Sequence, residues 1–257
     1  MKLAMLISTS AAFPEAALKQ TCALAGLLAV PLTGIATTED SIHYYSGVDG
    51  NYIDLVSASI ANAEHALEEA EQRFNTGCDA ASVAHAWHGS QAFMRHEWPK
   101  YSPYFDLAVA PPPFSAPELA CLGVSAMLQL QEDAQITTMD GRCLIAWDGS
   151  LQAARAVRAA LPLLDRFDRV EVIAIDPPQR SMPYDIGGYL AGHGISAVIT
   201  TETSAEASVA SLINSAASGA DLLVMGAYGY SATLEKIFGG VTEKLRQESL
   251  APVLFAH

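Results

Sequence analysis

The chain has 257 residues, 51% of them hydrophobic and 16% charged, with a formal charge of −14. That length holds one large α/β domain or two of ordinary size, and the composition excludes a disordered protein. The negative charge excludes a general basic footprint for DNA, RNA or an anionic membrane surface, but not a small anion held by backbone N–H groups.

Residues 3–7 read as a first buried strand. Lys2 and the apolar run after it resemble the start of a signal peptide, but the run is too short and Ser8-Thr9-Ser10 ends it. The apolar stretch 23–30 is far below the length of a membrane span. The expectation is a cytoplasmic protein with no membrane and no nucleic-acid partner. Cys22, Cys78, Cys121 and Cys143 are scattered without a C-x-x-C pair, which favours reduced thiols over a disulfide framework or a metal site.

A helix is predicted over 14–25, with Pro14 near its first turn. A strand follows within 27–35, interrupted by Pro31 and therefore short or at an edge. Residues 42–51 read as a loop. Residues 53–74 form a long amphipathic helix, with Leu55, Ile60, Ala63, Leu67 and Ala70 roughly on one face. Then come a strand at 81–87, a helix at 93–98, a buried strand at 105–110 running into Pro111-Pro112-Pro113, and a helix within 118–130 that ends in strand.

The pattern is cleaner from Gly141. Strands are predicted at 142–147, 170–175, 196–201, 222–225 and 252–256, and helices at 151–164, 204–218 and 241–248. Residues 179–194 are irregular with one short helix. Thr203-x-x-Glu206 is a capping-box signature, and Gly219 closes the helix after it. Strands alternating with helices imply a parallel sheet covered on both faces. Both halves run strand, helix, strand, variable segment, strand, helix, strand, and both place Asp-Leu before the fourth strand (Asp106-Leu107 and Asp221-Leu222). We infer an internal repeat of roughly 120–130 residues, with domains 1–137 and 138–257 and a junction near 136–141. A single larger sheet is the alternative.

The stretch richest in chemistry is Asp221-Leu-Leu-Val-Met-Gly226-Ala-Tyr-Gly229, followed by Gly239-Gly-Val-Thr-Glu-Lys244. A buried strand feeding glycines, with more glycine before a helix start, can hold phosphate on backbone N–H groups and the helix dipole. Taken alone, Gly226 and Gly229 read equally well as turn glycines.

These residues carry a resemblance. Leu144-Ile-Ala-Trp-Asp148-Gly-Ser150, the G-x-x-G-x9-G spacing of Gly226, Gly229 and Gly239, and the closing Ala251-Pro-Val-Leu-Phe255 resemble the universal stress protein family. The resemblance covers 140–257, and over 1–135 it is only an order of elements. It implies two tandem α/β domains of the adenine nucleotide alpha-hydrolase-like, Rossmann-like kind, each with a five-stranded, mostly parallel sheet flanked by helices. The first domain is a degenerate copy. It further implies a stress-response binding or signalling protein with ATP or a related adenine nucleotide, with Mg²⁺, in the second domain. Asp148 would lie near ribose and adenine, and Ala174 would line the base. Met225, Gly226 and Gly229 would contact ribose and phosphates. Gly239, Gly240, Val241 and Thr242 would hold the phosphates. Domains of the family pair through their final strands, which implicates 253–255 in an internal pseudo-dimer. A further homodimer is compatible with this.

Gly240 departs from the family, whose ATP-binding members carry Ser or Thr there. Losing that hydroxyl removes roughly 0.5–3 kcal/mol of phosphate contact. Ala227, Tyr228, Tyr230 and Ser231 supply no cation, and Lys236 and Lys244 are the nearest basic residues. A non-nucleotide interaction protein whose site has decayed is therefore the rival reading. The first half lacks the site: Pro111-Pro112-Pro113 offers no N–H groups, and Ser8-Thr9-Ser10 has no acid matching Asp148.

Other candidates are weaker. Asp148 has the alternative of capping the helix near Leu151. His85-x-x-His88 has two metal-type ligands without a third, and Trp87 and Trp98 read as core or interface. Asp140 precedes its strand and Asp148 follows it, so they are not an acid/base pair. No G-x-S-x-G elbow, Walker lysine or H-E-x-x-H occurs, so no catalytic centre is expected beyond, at most, slow ATP hydrolysis.

Overall fold

The alternation of apolar strands and amphipathic helices is realised as parallel strands with helices between them. The computed structural model describes residues 1–38, 52–130, 141–175, 185–204, 208–228, 240–249 and 251–257, with the backbone alone for 52–59. They group into two compact units, Met1–Phe114 and Ser115–His257.

The first unit contains β1 (Leu3–Ser8), α1 (Glu15–Leu28), β2 (Leu32–Thr37), α2 (Tyr52–Ala80), β3 (His85–Ser90), α3 (Met94–Tyr101), a 3-10 turn (Ser102–Tyr104) and β4 (Leu107–Ala110). Its strands lie in the order β3-β2-β1-β4 with every pair among β1–β3 parallel and β4 parallel to β1. Parallel neighbours need crossovers, and the helices supply them. All six residues of β1 are buried, as expected for an inner strand covered on both faces. At Gly34 a Cβ would fall 2.6 Å from the Trp87 ring and 3.1 Å from that of Phe74. Glycine there lets the Phe74–Trp87 pair, 5.3 Å between centroids, lie against the strand. Trp98 is fully buried. Trp98 is thus a core residue, while Trp87 is half-buried.

The second unit contains α4 (Ala116–Leu122), β5 (Ala126–Gln129), β6 (Arg142–Trp147), α5 (Leu151–Leu164), β7 (Arg169–Ile175), α6 (Ile186–Gly192), β8 (Ala197–Glu202), α7 (Val209–Ala216), β9 (Leu222–Gly226), α8 (Val241–Glu248) and β10 (Val253–Ala256). Its strand order is β5-β10-β9-β6-β7-β8. All pairs are parallel except β5–β10, which is antiparallel with Leu254 opposite Leu128.

The architecture is the expected α/β one: mostly parallel strands with flanking helices. Among the described residues, each half of the sequence supplies five strands. The compact units divide them differently, because β5 belongs with the second unit through β10. The junction expected at 136–141 falls on residues outside those described except Gly141, whereas the units part at Phe114 and Ser115.

Several boundaries differ from the sequence reading, for identifiable reasons. Residues 27 and 28 extend α1, whose buried face includes Leu24 and Ala25, so β2 begins only at Leu32, after Pro31. The long α2 runs to Ala80 and displaces β3 to 85–90. The stretch 118–130 splits at Gly123 into α4 and β5. The helix expected from 204 begins at Val209, because Ser208 is its cap and accepts the Ser211 N–H. Glu206 of the expected capping box lies outside the described residues, as does the expected loop 42–51.

The two Asp-Leu pairs have a common role. Asp221 donates its N–H to the Arg142 carbonyl (2.8 Å), and its Oδ2 accepts the Arg142 N–H (2.7 Å). Asp106 does the same with Lys2, at 3.0 and 2.6 Å. In each unit one aspartate at the entry to the fourth strand thus clamps the entry to the first. Replacing Asp221 with Ala should cost about 1 kcal/mol. The thermal midpoint should fall by about 2–4 °C, and Asp106→Ala should show a similar loss in the same melting experiment.

Candidate functional site

The second unit changes winding direction between β6 and β9. From β6 the chain proceeds outward to β7 and β8, then returns to lay β9 on the other side of β6 and β10 beyond it. The carboxyl ends of strands at such a switch point open a crevice, where ligands bind in open α/β sheets. The residues implied by the resemblance converge on this edge. Asp148 follows β6, Ala174 is next to last in β7, and Met225 and Gly226 end β9. Trp147 and Ala174 are register partners, which places Asp148 beside the end of β7. Ala174 and Met225 are buried (6% and 5% exposed), whereas Asp148 is exposed. The register aligns Ala174 with Trp147 and, continued by one residue, Met225 with Ala146, so the two side chains lie on opposite faces of the sheet.

Asp148 does not cap α5 directly. Its Oδ1 accepts the Ser150 N–H at 2.9 Å, and the Ser150 hydroxyl oxygen accepts the Ala153 N–H at 3.1 Å. Gly149 between them has φ +75°, a conformation glycine adopts without strain. Ser150 is therefore the N-cap, and Asp148 holds the turn that presents it.

Gly226 has a packing role. A Cβ there would lie 2.7 Å from the Ala153 nitrogen and 2.8 Å from the Gln152 carbonyl carbon, both in the backbone of the first turn of α5. The strand end and the helix start touch at this point. Past it, the Ala227 N–H donates to the Ala256 carbonyl (2.8 Å), and the Ala227 carbonyl accepts from His257 Nδ1 (2.9 Å). Tyr228 then turns into the left-handed region at φ +47°. Gly229 and Gly239 lie outside the described residues, as does Lys236.

The chain re-enters at Gly240, the N-cap of α8, with no side-chain cap bond. By contrast α5, α6 and α7 are each capped by a side chain, from Ser150, Asp185 and Ser208. Thr242 is buried, and its Oγ1 accepts the Tyr228 N–H at 3.3 Å, tying the loop to α8. Any anion contact from Val241 or Thr242 would therefore come from backbone N–H groups. Lys244 is exposed.

The electrostatics around this loop were not legible in the sequence. Burial pushes the Tyr228 hydroxyl up to about 12, helped by Glu118, Glu243 and Cys121 and opposed by Arg246. Glu243 is held below the usual carboxylate range by its hydrogen bonds to Arg246. Among the described residues, Arg246 in α8 is a basic group acting on Tyr228. It is also committed to Glu243 by a 2.5 Å ion pair. Only folding brings α4, with Glu118, against α8.

His85 and His88 do not converge on a metal. The His85 ring meets the Val83 carbonyl (3.0 Å) and the Phe74 ring, whereas His88 stacks on Tyr101. Three residues apart on a strand, they face opposite sides of the sheet.

No family model and no curated protein matches the chain. Solved structures do. A universal stress protein from Archaeoglobus fulgidus DSM 4304 superposes with a TM-score of 0.68 at 15% identity, covering 98% of this chain and 95% of that one. A protein from Pseudomonas aeruginosa UCBPP-PA14 assigned as a universal stress protein gives 0.53 at 14% identity, covering 100% and 93%. The fold is that of the universal stress proteins. A functionally unknown protein from Pseudomonas aeruginosa PAO1 superposes on this chain with a TM-score of 0.53 at 16% identity, over 98% and 92% of the two chains.

Two predictions follow from the geometry of the edge. Gly226→Val places carbon against α5 backbone that cannot yield, and should cost about 1–3 kcal/mol in urea unfolding without any ligand. Tyr228 retains its proton in the folded state to about pH 12 but loses it near 10 when unfolded. Its contribution is therefore complete below pH 10 and lost as pH rises through 12. Urea midpoints at pH 9 and 11.5 should fall less steeply for Tyr228→Phe than for the parent.

Proposed function

We propose that this chain is a tandem universal stress protein whose second unit binds an adenine nucleotide at the carboxyl edge of β6, β7 and β9. The observation carrying this reading is the α8 amino end, which lacks a side-chain cap at the edge where Asp148, Ala174 and Met225 converge. An uncapped helix start offers N–H groups and a favourable dipole to phosphate. Asp148 gives one oxygen to Ser150, and its other oxygen is the acceptor a ribose hydroxyl would use. Ala174, at the end of β7 beside Asp148, provides apolar contact for a base. ATP, with Mg²⁺ to offset its charge, is the leading ligand, and the residues hold it by binding rather than by chemistry.

The internal pairing has support in the β5–β10 ladder. The last strand of the first half of the sequence lies antiparallel to the last strand of the second, with Val253 opposite Gln129 and Phe255 opposite Met127. We infer that the first half acts as the built-in partner of the second.

A second reading is favoured by the acidic groups at the loop. Glu118 and Glu243 both act on Tyr228, and Gly240 lacks the hydroxyl of ATP-binding family members. A site decayed in this way would leave a binding protein without nucleotide.

Thermal shift with ATP, ADP and AMP plus Mg²⁺, and nucleotide analysis of the supernatant from denatured protein, separate the two. The first reading expects a rise in midpoint with millimolar ATP. Val241→Pro should reduce that rise without lowering the unliganded midpoint. Proline suits the first helical position, the extended Gly240 (φ −50°, ψ 168°) accommodates it, and only the N–H is lost. No shift and no carried nucleotide would establish the second reading.

A further inference from the structure

A cavity of about 570 Å³ lies in the first unit, far in character from the edge described above. That volume is in the range of small-molecule sites, roughly 300–1,000 Å³. Its walls include Lys2 and Leu3, where β1 starts, Pro31 just before β2, Ala84 just before β3, and Phe105 just before β4. It therefore opens at the amino ends of the strands, on the face carrying α3 and the 3-10 turn.

Its chemistry runs against that of the chain as a whole. The protein carries 28 acidic and 14 basic residues, yet among the described residues no Asp or Glu lines this cavity, while Lys2 and Lys100 do. The carboxylates close to it have partners of their own, and Asp79 Oδ1 lies 3.9 Å from Nδ1 of the lining residue His85. Glu97 Oε1 takes Lys100 Nζ at 2.6 Å, and Asp106 Oδ2 takes the Lys2 backbone N–H at 2.6 Å. Lys100 is thus partly neutralised, and the Lys2 ammonium is the principal positive charge. The remaining surface is aromatic. His88 and Tyr101 stack at 5.5 Å with 26° between their planes, and Tyr104 and Phe105 continue the wall. Ala84, Ala86 and His88 are exposed, so one face of the edge strand is left uncovered along the cavity.

Flat rings favour a planar aromatic guest, and a cation at the rim of a cavity without acids favours a negative one. We propose that this cavity is a binding site for a small aromatic carboxylate, its ring against Tyr101, Tyr104 and Phe105 and its acid group toward Lys2. The proposal is independent of the nucleotide reading.

The test uses the full chain and 4-hydroxybenzoate as probe, followed by saturation-transfer NMR and calorimetry, with and without saturating ATP. Saturable binding below ~1 mM is expected, unaffected by ATP. Neutral 4-hydroxybenzamide should bind roughly fivefold or more weakly, as should 4-hydroxybenzoate to Lys2→Met or Tyr104→Ala, a loss of about 1 kcal/mol. Tyr104 is 68% exposed and Lys2 is exposed, so both variants should keep the parent melting temperature, which confirms that weakening reflects the site. Absence of saturable binding up to ~5 mM, equal affinity for the amide, or undiminished binding by both variants would overturn the proposal. Competition by ATP would place the probe at the other site and would equally overturn it.

Discussion

The close approach of β9 to α5 is the constraint on which the second unit's functional edge depends. A Cβ at Gly226 would fall 2.7–2.8 Å from the backbone of the first turn of α5, so a side chain there would push the end of β9 and the helix start apart. That contact determines how near the β9 loop comes to the Asp148–Ser150 turn, and hence the width of the crevice at the switch point. It also alters the meaning of a glycine after a strand. Gly226 has no positive φ and serves helix packing, so its presence is weak evidence of an anion site. The proposed nucleotide site relies instead on the start of α8.

That helix start is shaped by what is missing and by what surrounds it. Gly240 supplies no cap, whereas α5, α6 and α7 are each closed by a Ser or Asp side chain. Thr242 turns inward to hold Tyr228, and Arg246 is drawn to Glu243. Among the described residues, the start of α8 offers N–H groups and a helix dipole, and its nearby Arg246 is paired with Glu243. Such an edge can hold phosphate only by backbone geometry, which is sensitive to small shifts of α8.

Much of the fold could be read from the chain. The 3.6-residue pattern of 151–164 and the charged, short amphipathic run 241–248 match α5 and α8 at both ends, and 142–147 matches β6. The first half was less legible, because its apolar runs do not mark element type. Residues 27 and 28 are as apolar as strand residues but lie on α1, and 118–130 holds both a helix and a strand. For the candidate site, the structure places Asp148, Ala174 and Met225 at the carboxyl ends of adjacent strands, with Ala174 and Met225 on opposite faces of the sheet. The roles of Gly226 and Thr242 differ from what residue type alone conveys, since both act through neighbours distant in sequence.

The sequence by itself determined the alternation of strand and helix, the repeat with its two Asp-Leu entries, and the glycine-rich stretch after β9. These depend on local periodicity and on residue chemistry, which survive without knowledge of contacts. Tertiary structure alone decided that β5 pairs with β10, that Gly226 packs against α5, and that Glu118 reaches Tyr228. It also decided that lysines and aromatic residues from opposite ends of the first unit's sequence line one cavity. Each of these is a meeting of residues far apart in the chain, governed by strand order and helix packing rather than by local pattern.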